Sequence, residues 1–176
     1  MDTLFLQRVD VRFFSELGSR RLHLAGGTAQ PTAAWVTQQA RQLSWHLQEA
    51  EGPTMRFLIR DRDGKFPARF DRVFAWEGRA VVKTPPRTPN ANAVAERVVR
   101  SLRAECLGHL LIVNQAHLRS VLAQYAAYYN HRRPHQGREQ GPPVPLAVTP
   151  TQPAAPAQIR CRPLPGGLIN DYDVAA

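Results

Sequence analysis

The stretch Thr84-Pro85-Pro86-Arg87-Thr88-Pro89-Asn90-Ala91-Asn92-Ala93-Val94-Ala95-Glu96-Arg97 runs a stiff loop straight into a helix. Its prolines fix φ and make the loop rigid up to the Asn residues. An Asn there can cap the helix that follows. Glu96 then falls in the first turns of that helix. Upstream, Phe57-Leu58-Ile59-Arg60-Asp61-Arg62-Asp63-Gly64-Lys65-Phe66 is a short apolar strand that ends in acids. Asp61 and Glu96 stand 35 positions apart. A carboxylate at a strand end and another on a later helix suit two-metal phosphoryl transfer. Hard divalent cations take oxygen ligands, and a pair of them clamps attacking and leaving oxygens.

Working outward, the spacing of apolar residues predicts the remaining elements. Leu4 to Leu17 and Arg20 to Ala25 read as two strands around a Gly18-Ser19 turn. Pro31 opens a helix over 31–49, with Trp35, Gln39, Leu43 and Leu47 at helical spacing. Arg56 to Arg60 reads as a short buried strand and Phe66 to Trp76 as a helix closed by Gly78. Ala80 to Lys83 is a further strand, and Asn92 to Leu107 a helix. Asn114 caps the last helix, whose stripe is Leu118, Val121, Leu122, Tyr125 and Tyr129. Strands first, then alternating helices and strands, argue a mixed α/β sheet flanked by helices. Trp35, Trp45 and Trp76 are expected in the core.

The chain has 176 residues, with 23 Lys and Arg against 14 Asp and Glu, a net charge of +9. That length suits one domain with a sizeable core. That excess points to a polyanionic partner, most simply nucleic acid. The alternative on charge alone is a solvated basic surface. Cys106 and Cys161 are too far apart in sequence for a zinc spacing and make no disulfide framework. No apolar run approaches the ~20 residues of a membrane span, and no signal peptide opens the chain. A cytoplasmic protein without a small-molecule substrate is expected.

Three ordered motifs carry a resemblance to the catalytic core of insertion-sequence transposases, relatives of retroviral integrases. Asp61 follows an apolar strand and precedes Phe66. Asn92-Ala93-Val94-Ala95-Glu96 ends a Pro-containing loop. Tyr129-Asn130-His131-Arg132-Arg133-Pro134-His135 is similar to the family's Tyr-Asn-x-x-Arg-Pro-His signature. The likeness covers roughly 2–135. It implies a ribonuclease-H-like fold, two Mg²⁺ or Mn²⁺ ions, double-stranded DNA as partner and a homo-oligomer on DNA. It implies metal-dependent phosphodiester cleavage followed by strand transfer. The alternatives are a non-catalytic DNA-binding remnant and a plain ribonuclease-H-like nuclease.

The resemblance makes Asp61 and Glu96 metal ligands and catalytic carboxylates. A plainer role is open to each: Asp61 as a turn residue, Glu96 as a helix-dipole acid worth ~0.3–1 kcal/mol. Asp63 is the rival register, although Asp63-Gly64 is itself a good turn pair. The family's first carboxylate lies on the opening strand, where Asp2 is the only acid. Either Asp2 completes the triad or the residue lies upstream of a chain that begins late. Arg100 and Arg103 share the Glu96 helix face and are candidate phosphate contacts; Arg100 could instead pair with Glu96. Lys65, Arg62 and Arg133 are further DNA candidates, and Pro134 stops the helix. His135 titrates near neutral but is given no catalytic role. Domain limits are expected at 1–135 for the core and 136–176 for a Pro-rich tail with a small terminal segment. Eight of the 15 prolines lie between Pro142 and Pro165.

Overall fold

The computed structural model describes residues 3–4, 7–49, 55–145, 159–164 and 167–174. Asp2 lies outside them. Two strands open the fold, β1 (Asp10–Ser15) and β2 (Leu22–Thr28), paired antiparallel. β1 begins at Asp10 rather than Leu4. Ahead of it, Thr3 N donates to Gln7 O at 3.0 Å. The pairing slips by one residue between Arg12 and Phe13, opposite Gly26. Gly26 takes φ +151, a value that L side chains rarely adopt.

Helix α1 (Ala33–Glu49) leads to β3 (Phe57–Arg60), α2 (Ala68–Trp76) and β4 (Ala80–Lys83). β3 and β4 pair in parallel, from Phe57 opposite Ala80 to Arg60 opposite Lys83. Gly78 makes the turn between α2 and β4 at φ +75, where its missing Cβ removes the steric penalty. A 3₁₀ turn over Pro89–Asn92 then enters α3 (Ala93–Glu105). Asn92 occupies the cap position but makes no side-chain cap bond. Asn114 does cap α4 (Gln115–His131): its side chain accepts from His117 N at 2.8 Å. A terminal hairpin, β5 (Ile159–Leu164) with β6 (Ile169–Val174), is antiparallel. Most of the Pro-rich run, residues 146–158, lies outside the described residues.

Two separate apolar clusters form. The first joins β1, β2, α3 and α4 through Val9, Leu22, Val98, Leu102, Leu118 and Tyr125. All five residues of the expected α4 stripe are buried. Ile169 packs against this cluster and docks the terminal hairpin. The second joins α1, α2 and β3 through Val36, Ala40, Leu43, Phe70 and Phe74. Two expectations fail here. β3 is not a buried strand, because Phe57 is 60% exposed and Ile59 47%. Only Trp35 packs on a core; Trp45 and Trp76 are 66% and 93% exposed. The rings of both lie outside the surface that α1 and α2 bury.

Candidate active site

The site grows from the C-terminal ends of β3 and β4. Asp61 is the first residue past β3. Behind it, Arg60 is buried and forks onto Asp71 of α2, with Nε to Oδ1 at 2.8 Å and Nη2 to Oδ2 at 2.7 Å. Those hydrogen bonds hold the Asp71 carboxyl below, and the Arg60 guanidinium above, its usual range. The third arm of Arg60 donates to the backbone oxygen of Asp61 at 2.7 Å. The strand end that presents Asp61 is therefore clamped to α2. The turn that follows is built from its own acids. Asp63 N donates to Asp61 Oδ1 at 3.2 Å, and Lys65 N to Asp63 Oδ1 at 3.0 Å. This gives Asp63 the turn-forming role.

The loop that carries Glu96 is tied to the same strand end. Thr84 is buried, and its N–H donates to Arg60 O at 2.9 Å. Arg62 Nε donates to Thr84 O at 3.0 Å, so this candidate DNA contact also fastens one loop to the other. From Thr84 the chain passes Pro85, Pro86 and Pro89 and reaches Glu96 in the first turn of α3. Asp61, partly buried, and Glu96, exposed, line one groove of about 1570 Å³. Arg100 and Arg103 line it one and two turns further along α3, and both are exposed. No Glu96–Arg100 ion pair occurs among the described residues. Lys65 Nζ lies 3.5 Å from Asp10 Oδ2 at the start of β1.

Arg133, a DNA candidate in the sequence, is partly buried and ion-paired with Glu105. It reaches back across α4 to Glu105, the last residue of α3, with Nε 2.8 Å from Oε2. Tyr125 donates its hydroxyl to the same carboxylate at 2.8 Å, and the guanidinium sits 5.6 Å over the Tyr129 ring. Burial alone would raise the Glu105 carboxyl, but the bonds from Arg133 and Tyr125 outweigh it and hold it below the usual range. The hydrogen bond to Glu105 likewise raises the Arg133 guanidinium, and burial first, then Glu105, pushes the Tyr125 phenol up. His135 packs edge-on to Tyr129 at 4.8 Å, and burial lowers its imidazole. Asn130 spans both sides of Leu22, giving Nδ2 to its oxygen and taking its N–H, each at 2.8 Å. The Tyr-Asn-x-x-Arg-Pro-His run thus ties α4 to α3 and β2. The charge of Glu105, nine residues beyond Glu96 on α3, was the signal that could have paired it with Arg133.

Among the described residues no group of three or more His, Cys, Asp or Glu is arranged to hold a metal ion. Two carboxylates on one groove do supply the hard oxygen donors that Mg²⁺ or Mn²⁺ takes, one ligand short of a triad. No helix among the described residues is long and apolar enough to cross a membrane.

Comparison with known proteins supports the resemblance seen in the sequence. Residues 78–143 match the integrase core domain family, a stretch shorter than half the chain. The crystal structure of the catalytic core domain of BIV integrase superposes with a TM-score of 0.55 at 18% identity, covering 77% of this chain and 88% of that one. The fold is therefore the mixed α/β, ribonuclease-H-like fold of an integrase catalytic core. No curated protein matches in sequence.

Proposed function

We propose that this chain is the core of a DNA transposition or integration protein that acts on phosphodiester bonds with Asp61 and Glu96. The observation that carries this reading is that both carboxylates line one groove together with Arg100 and Arg103 of α3. Double-stranded DNA is the partner. Arg100 and Arg103 would hold phosphates beside the carboxylates, and the Arg60 and Arg62 clamps would keep Asp61 facing the loop that bears Glu96. A divalent ion bound there, Mg²⁺ or Mn²⁺, supplies activation of the attacking oxygen and stabilisation of the leaving one. The protein's part is positioning, and no covalent enzyme intermediate is needed.

The direct test is Mn²⁺ binding followed by calorimetry. Asp61→Asn and Glu96→Gln should each weaken Mn²⁺ binding at least tenfold while leaving the far-ultraviolet circular dichroism unchanged. Binding that ignores both substitutions would overturn the reading. A second reading is a DNA-binding domain without strand transfer, which the excess of 23 Lys and Arg over 14 Asp and Glu would equally support. A joining assay on the element's own ends separates the two, because the second reading retains DNA affinity and yields no joined product.

A further inference from the structure

Trp45 on α1 and Trp76 on α2 are the exposed large apolar residues of those two helices, at 66% and 93%. Neither lines the groove that holds Asp61 and Glu96. Their helices meet in one apolar cluster through Leu43, Phe70 and Phe74. Ser44 donates its hydroxyl to Glu77, and Arg79 Nη1 donates to Ser44 Oγ at 2.8 Å. Trp45 follows Ser44 and Trp76 precedes Glu77. Adjacent Cα atoms are only about 3.8 Å apart. The two indoles are therefore rooted on the immediate chain neighbours of a hydrogen-bonded pair.

Each tryptophan has an arginine four residues before it. Arg41 with Trp45, and Arg72 with Trp76, repeat one Arg-x-x-x-Trp spacing on the two packed helices. Residues four apart share a helix face, roughly 6 Å apart along the axis. Arg41 and Arg72 are exposed, and so is Arg69, one turn before Arg72. None of the three makes an ion pair among the described residues; Arg41 reaches Gln38 Oε1, at 3.5 Å. No guanidinium among the described residues covers either indole. Trp45 donates its ring N–H to Glu49, the one acid of α1. That bond holds the ring by its edge, leaves its faces open and occupies the carboxylate that would repel an anion.

We propose that Arg41 with Trp45, and Arg72 with Trp76, form a second binding surface, for single-stranded DNA. The indoles stack on unpaired bases and the arginines hold the adjoining phosphates. A duplex stacks its bases on one another and offers an indole no free base face, whereas a single strand does. Aromatic stacking accepts any base, because every base has a π-face. The surroundings argue against a protein partner. Interface cores are depleted of charge, but the exposed neighbours of Trp45 on α1 are Arg41, Gln42, His46 and Glu49, and those of Trp76 on α2 include Arg69 and Arg72. Excess arginine beside isolated aromatic rings complements a polyanion that carries bases. The choice of DNA over RNA rests on the proposed function; the stacking itself is independent of Asp61 and Glu96.

The probe is a fluorescein-labelled oligothymidylate of twelve bases, set against an abasic strand of the same length and charge. The full chain should bind the thymidylate about tenfold tighter or more, and the unlabelled strand should quench its tryptophan fluorescence. Trp45→Ala and Trp76→Ala should each weaken that binding about fivefold or more, and Trp76→Phe should recover part of the loss. Arg41→Ala with Arg72→Ala should lower the slope of log affinity against log salt by about 1.4. Leu111→Ala, at an exposed apolar residue between α3 and α4, should change nothing. Asp61→Asn and Glu96→Gln should also leave thymidylate binding as it was, so this surface and the groove can fail separately. Equal binding of the two strands, or tryptophan variants that bind as the parent does, would overturn the proposal. Tighter binding of the matching oligouridylate would assign the surface to RNA and overturn it. A dimer that Trp76→Ala dissociates while thymidylate binding persists would assign it to a second copy, and would overturn it too.

Discussion

At the residue scale, the densest polar cluster is the one around Glu105, and its energetics decide how α3 is held. A partly buried, hydrogen-bonded ion pair costs more to break than to replace whole, because the survivor keeps an unmet charge. Glu105→Gln should therefore cost ~1–3 kcal/mol in urea unfolding, and Tyr125→Phe ~0.5–1.5 kcal/mol. A double-mutant cycle between Glu105→Gln and Arg133→Gln should give a coupling of at least ~0.5 kcal/mol. Simple additivity would mean that the pair contributes nothing beyond its members. His135 adds a pH dependence. Burial lowers its folded-state pKa, so folding disfavours the charged ring. Its contribution is intact above the unfolded value near ~6.5 and is lost as pH falls from there through the folded value. Glu105 and Asp71, also lowered, lose theirs only further down, below about 4.3. Stability should thus decline in two stages on acidification. His135→Gln should flatten the stage that begins just below about pH 6.5 and leave the lower one in place. A chemical-denaturation series across pH reads both, and an unaltered upper stage would remove His135 from this account.

At the element scale, the helices were legible and the strand environments were not. The α4 stripe could be read because five residues at helical spacing have one consistent explanation, a buried face. Asn114 was legible as a cap because its side chain serves a backbone N–H three residues away, a local fact. β3 misled because an apolar tetrapeptide reads as buried whether or not anything covers it. Its cover depends on a neighbouring strand, which is a non-local fact. The tryptophans misled similarly: hydrophobicity does not say where an element's partner stops. Asp61 and Glu96 could be proposed from turn and loop chemistry, whereas the Arg60 clamp needed the position of Asp71 on a later helix. α3 makes the element-scale prediction. It presents Arg100 and Arg103 to the groove, and neither makes an ion pair among the described residues. Replacing both with Ala should reduce the slope of log affinity for duplex DNA against log salt by about one to two. The loss should be equal across unrelated sequences, since phosphate contacts carry no base information. A slope that does not move would show that α3 faces something other than phosphate.

At the scale of the whole molecule, the stability is carried by two apolar clusters with no shared members. Phe70 and Phe74 centre one, Leu118 and Tyr125 the other, and all four are at most 1% exposed. The clusters meet where α1 packs on β2 and where β1 gives Phe13 to one cluster and Phe14 to the other. Phe70→Ala should cost ~3–5 kcal/mol and Leu118→Ala ~2–5 kcal/mol, transfer and cavity costs together. Because the sites share no contacts, the double variant should lose the sum of the two within ~0.5 kcal/mol. Milder changes, Phe70→Leu and Leu118→Val, keep the double variant folded if the Ala pair exhausts a total stability of ~5–15 kcal/mol. Equilibrium unfolding of the four proteins supplies the measurement. A coupling well above ~0.5 kcal/mol would mean that the clusters behave as one core, with the backbone of β1 transmitting strain through its adjacent Phe13 and Phe14. Additivity would instead mean that the two clusters act as independent packing units.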